Sequence, residues 1–155
     1  MSSEWRPDDS LTERDKNGDL TAWRMIRAAL RKNKVTLGKG VITSRDPGIA
    51  AVTRDLKRSG MPAGVEQWLL PLIVGPQHGV LYFRSQLEPG AVVPSHSHTH
   101  SVFRVVVDGE LKFGRKTLTA GDWMYVPAGV SYSIAAGKPK GKSKAKPLKI
   151  FYMHP

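Results

Sequence analysis

No cysteine occurs among the 155 residues. That excludes a disulfide frame and a thiolate metal site, so any bound metal must draw on nitrogen and oxygen ligands. Long hydrophobic runs are missing as well. No stretch approaches the roughly 18 to 20 apolar residues of a membrane-spanning helix, and the start, MSSEWRPDDSLTERD, is too polar for a signal peptide. These absences lead to the expectation of a cytoplasmic protein without a membrane partner. Acidic residues are also scarce: 13 Asp and Glu stand against 24 Lys and Arg, a formal net charge of +11.

Such an excess invites a nucleic-acid partner, but its distribution argues against one. Lys138, Lys140, Lys142, Lys144, Lys146 and Lys149 fall in one segment punctuated by Gly and Pro and free of acids. Half of the excess charge is therefore one surface loop, able to attract anions without specificity. Hydrophobic residues make up 40% and charged residues 24%, proportions that suit a globular chain of about one domain.

Residues 1–60 read as a helical N-terminal extension and residues 61–155 as strands and turns. Ser10 with Glu13 fits a capping box, and Asp19 is placed to cap TAWRMIRAALRKN, where Trp23, Ile26 and Leu30 recur at helical spacing. In a second helix Asp46 is the expected cap and Pro47 the first residue, with Ile49, Val52 and Leu56 on one side and Gly60 as the stop. Two helices this short cannot form a core alone, so their apolar stripes are expected to pack on the β portion or on a partner subunit. A helix-turn-helix reading fails because the intervening KVTLGKGVITSR is too long and β-like for that turn.

After Gly60 the runs VEQWLLPLIV, GVLYFRSQL, SVFRVVV, ELKFG, DWMYVP, SYSIA and LKIFYM are separated by Gly- and Pro-bearing turns. Many short strands so punctuated predict a mainly β barrel or sandwich. Within them His96, His98 and His100 stand on alternate residues in EPGAVVPSHSHTHSVFRVVVDGEL. On an extended strand, side chains two apart share a face roughly 6 to 7 Å apart, close enough for neighbouring imidazoles to reach one cation. His96 and His100 would stand about 13 Å apart on a straight strand, so a site using all three needs a bend.

These residues also carry a family pattern. Gly90, five residues, His96-Ser-His98, three residues, Val102, six residues and Gly109 reproduce the spacing of the first cupin motif, with valine where that motif has glutamate. Gly121, five residues, Pro127-Ala-Gly129, two residues, Tyr132, three residues and Ala136 reproduce the second, with tyrosine and alanine for histidine and asparagine. Residues 64–155 thus resemble the cupin superfamily. The resemblance implies a jelly-roll β-barrel with paired motifs at one mouth, a homodimer, and a divalent transition metal: iron first, then manganese, nickel, copper or zinc.

Under that resemblance His96 and His98 are the expected metal ligands, with His100 and Tyr132 the candidates for a further position. Tyr132 is alternatively a general acid, or an aromatic lining residue bonded to a neighbour. Counting by twos from His98 turns Arg104 inward, where a substrate carboxylate or enolate would satisfy it; a kink after His100 would instead bury Phe103, Val105 and Val107 and leave Arg104 outside. His78 and His154 read as exposed. The function expected is that of a metal-dependent cupin acting on a small anionic or dicarbonyl molecule, for example as a dioxygenase. Isomerase or lyase chemistry would use the same residues; a noncatalytic small-ligand cupin, for sensing or storage, is the alternative, ahead of a nucleic-acid-binding protein using the lysine-rich loop.

Overall fold

The structure is a computed structural model that describes residues 5–72, 76, 79–139 and 146–154. His78 and the lysines at 140, 142 and 144 lie outside the described residues. A 3-10 turn at Ser10–Thr12 is followed by helices α1 (Thr21–Lys32) and α2 (Ile49–Asp55). Among the described residues nine strands come next: β1 (Val65–Leu69), β2 (Leu81–Leu87), β3 (Val92–His96), β4 (Val102–Asp108), β5 (Leu111–Phe113), β6 (Lys116–Leu118), β7 (Trp123–Val126), β8 (Tyr132–Ala136) and β9 (Leu148–His154).

The strands form two antiparallel sheets, ordered β1-β2-β9-β4-β7 and β3-β8-β5-β6, which fits the cupin fold. Among the described residues their ladders do not join into one closed barrel. Strict alternation places one face of each long strand inward: Leu81, Phe83, Ser85 and Leu87 on β2, and Val102, Arg104 and Val106 on β4. On β9, Leu148, Ile150 and Tyr152 do the same. Turn glycines hold the ends. At Gly109, which closes the β4–β5 turn with φ +79°, an added Cβ would stand 2.6 Å from the Pro147 carbonyl oxygen. Neither the backbone angle nor the space allows another residue there without strain.

The helices share the core of the sheets. Ala22, Ile26, Ala29 and Leu30 of α1, and Val52 with neighbouring Leu56, belong to the same buried cluster as Leu69, Phe83 and Ile150. Neither expected cap stands at its helix start. Asp46 accepts hydrogen bonds from Thr43 N and Oγ1, closing a turn, so α2 begins after Gly48, whose φ is +82°. Leu20 rather than Asp19 precedes α1, and the Ser10–Glu13 segment forms only the 3-10 turn. Asp46 closes a local turn with its side chain in competition with a helix start, and Asp15 does the same before α1, accepting from Asn17 N and Asp19 N. After α2 the backbone runs along β1, with Arg58 N donating to Gln67 O at 2.7 Å and Leu69 N to Leu56 O at 3.1 Å. The outer edge of β1 is thereby partly covered, which blunts it as a template for pairing with other chains.

Ile26 is 2% exposed and joins α1 to the sheets. Replacing it with alanine is expected to lower the unfolding free energy by about 2 to 5 kcal/mol, measured by urea denaturation. A loss below about 1 kcal/mol would mean that the helix does not depend on this contact.

Candidate metal centre

Pro94 sits in β3, an edge strand where its missing N–H costs no ladder bond. The pairing of β3 with β8 is irregular between Val93 and His96, and it sets His96 directly across from Tyr132. The first and second motifs therefore meet across one ladder. Beyond His96 the strand ends, and the chain bends at Thr99 and His100. Gly129 N donates to the His98 carbonyl at 2.8 Å, tying this bend to the loop before β8.

The bend changes which histidines converge. One nitrogen each from His98, His100 and His154 lies within 4.8 Å of the others. His154 is not exposed as the sequence suggested: it is half-buried at the end of β9, on the inward parity of Leu148, Ile150 and Tyr152. His98 Nδ1, His100 Nε2 and both nitrogens of His154 are buried without a hydrogen-bond partner. Unpaired buried polar atoms are costly, and a cation would satisfy these.

His96 has a different place. Its Nδ1 lies 2.7 Å from the Pro94 carbonyl, which can only accept, so Nδ1 carries the proton and Nε2 the lone pair. That Nε2 is 3.1 Å from His98 Nε2, which therefore donates, leaving the His98 lone pair on Nδ1. The hydrogen-bond chain thus leaves His98 Nδ1 as the atom able to ligate, with His96 orienting the ring from behind. Burial lowers the pKa of His98 to about 3 and that of His154 to about 2, helped by positive neighbours. Burial also lowers His96 and His100, opposed in both by the Asp9 carboxylate. All four rings are neutral at physiological pH, the state that binds metal.

Tyr132 is buried, with its hydroxyl 2.6 Å from Arg104 and 3.3 Å from His98 Nε2. Arg104 faces inward at 6% exposure, so the kinked register with Phe103, Val105 and Val107 as the buried set does not occur. Its guanidinium lies 4.5 Å from the ring centre of Tyr152, its partner across the β4–β9 ladder. Burial raises the Tyr152 pKa and keeps that phenol protonated. Arg104 Nε has no hydrogen-bond partner, and no acidic side chain among the described residues pairs with Arg104. Buried guanidinium groups ordinarily have an anion. This one awaits it.

The chain before α1 covers the mouth. Trp5 packs edge-on against His96 at 5.0 Å between ring centres, and Asp8 pairs with Arg58 at 3.1 Å. Beneath this cover the space between the histidines, Arg104 and Tyr152 has a free volume of about 50 Å³. That is room for a metal ion and a few waters.

Residues 83–141 match the family model described as Cupin domain. A chain of the complex of Rhodobacter sphaeroides SigE with the anti-sigma ChrR is 16% identical, with 84% of this chain and 75% of that chain covered at a TM-score of 0.52. KdgF from Halomonas sp. is 21% identical, with 59% and 79% covered at a TM-score of 0.47. The polyketide cyclase RemF from Streptomyces resistomycificus is 16% identical, with 61% and 66% covered at 0.49. At these identities the likeness concerns fold. No curated protein matches the chain. No helix among the described residues is long and apolar enough to cross a membrane. The matched segment contains both motif frames, paired through His96 and Tyr132, and over residues 83–141 the chain resembles a cupin domain in sequence frame and in fold.

Proposed function

We propose that this chain is a metal-binding cupin whose ion is held by His98, His100 and His154 and whose small anionic or dicarbonyl ligand is received by Arg104. The observation that carries the reading is three histidines that each bring one ring nitrogen within 4.8 Å of the others, with a buried nitrogen on every one of the three rings lacking a hydrogen-bond partner. Three neutral nitrogen donors suit iron, manganese, nickel, copper or zinc and leave coordination positions open. A bound ion would polarise a ligand carbonyl or support oxygen chemistry, as in a dioxygenase.

The chain's own groups account for the remaining tasks. Arg104 offers a guanidinium already desolvated and stacked on Tyr152, so an incoming carboxylate or enolate meets a preorganised donor. Tyr132 joins Arg104 to His98, its hydroxyl oxygen accepting from the guanidinium and lying 3.3 Å from the protonated His98 Nε2, which leaves its own proton to be given to a ligand as a general acid. His96 fixes the tautomer of His98. A noncatalytic binding role uses the same groups and is favoured by the valine and tyrosine that stand at two usual ligand positions.

Protein purified without an affinity tag is expected to hold about one equivalent of a first-row transition metal in elemental analysis. The double variant His98→Ala, His154→Ala should lose it, whereas Tyr132→Phe should keep it. Failure of the native protein to take up any of the five metals would overturn the metal reading.

A second expectation concerns Arg104. In metal-loaded protein a panel of small carboxylates and β-dicarbonyls should include members that raise the melting temperature. Arg104→Met should abolish that rise while retaining the metal. An equal rise in the variant would remove Arg104 from the ligand site.

A further inference from the structure

The first motif has valine at 102 where its pattern calls for a carboxylate, and Val102 is fully buried on β4. A carboxylate nevertheless faces the histidines from elsewhere in the chain. Asp9 Oδ1 lies 3.9 Å from His98 Nδ1, the nitrogen left with the free lone pair. Neighbouring donors in a four-coordinate site with bonds of about 2.0 to 2.1 Å stand roughly 3.3 Å apart, so Asp9, which lies outside the group of three histidines within 4.8 Å of one another, would turn further toward them to ligate.

The local backbone leaves that carboxylate free. The Asp9 carbonyl accepts from Thr12 N and Oγ1, but its side chain makes no capping bond to the Ser10–Thr12 turn. The adjacent Asp8 does the structural work instead, accepting from Ser10 N at 2.9 Å and from Arg58. Trp5 Nε1 donates to the Gly60 carbonyl at 2.8 Å and Leu11 is buried in the core. The segment is therefore pinned on both sides of Asp9.

We infer that Asp9 is a fourth metal ligand, supplied by the N-terminal segment in place of the motif carboxylate, and that metal binding clamps residues 5–12 across the mouth. This rests on the metal site proposed above. One carboxylate with three neutral imidazoles leaves a divalent ion with a single net positive charge, a milder burial than a purely neutral donor set gives. Release of Asp9 would vacate a coordination position and uncover the roughly 50 Å³ cavity together.

The test uses the full chain with Zn²⁺. Affinity is measured by chelator competition, and chymotryptic cleavage after Trp5 and tryptic cleavage after Arg14, which flank Asp9, report the state of the segment. In the native protein Zn²⁺ should slow cleavage at these two sites. Asp9→Asn should bind Zn²⁺ at least about tenfold more weakly and lose the protection even when saturated, whereas Asp8→Asn should keep native affinity. Native-like affinity in Asp9→Asn, or cleavage unaffected by Zn²⁺ in the native protein, would overturn the inference while leaving the three-histidine site standing. Absence of Zn²⁺ binding by the native protein would overturn both.

Discussion

The site depends on one hydrogen-bond chain that begins at a backbone carbonyl. Pro94 O can only accept, which forces the proton of His96 onto Nδ1, and that in turn makes His98 donate from Nε2. The free lone pair of His98 then lies on Nδ1, on the side of Asp9. Had His96 been free to flip, either nitrogen of His98 could carry the proton and the pocket would present no defined donor. The irregular pairing of β3 with β8, and the proline in an edge strand, therefore determine chemistry as much as the histidines do.

Packing supports this arrangement from several directions. β9 lies between β2 and β4 and brings Tyr152 and His154 to the interior from the far end of the chain. The two helices join the same core, so the N-terminal segment that covers the mouth is held by α1 on one side and by the backbone along β1 on the other. Loss of packing at the helices would reach the pocket through that segment, without any change to the histidines.

The fold was legible because motif glycines and strand parity are local quantities. Gly109 must adopt a positive φ against the Pro147 carbonyl, and a sequence frame records that requirement directly. The proposed ligand set was only partly legible. His98 and His100 are named by their spacing, but His154 enters through the register that sets it opposite Leu81, a pairing across the sheet that no local pattern reports. Its inward parity with Leu148, Ile150 and Tyr152 was the available signal. Proximity to the C-terminus suggested exposure and masked it. Arg104 posed the reverse problem: parity from Val102 gave the right face, whereas the apolar Phe103, Val105 and Val107 suggested the other. Those residues lie on an outer sheet face that is itself partly apolar, with Phe103 against Trp123.

The desolvated guanidinium of Arg104 stands one tyrosine hydroxyl away from His98, and its positive charge is felt at His96, His98 and His154 alike. A metal ion placed among those rings and this guanidinium would repel each other in a medium that screens poorly. An anion settling between them would relieve both. The occupancies of cation and anion are then thermodynamically linked, each raising the affinity for the other by the same factor.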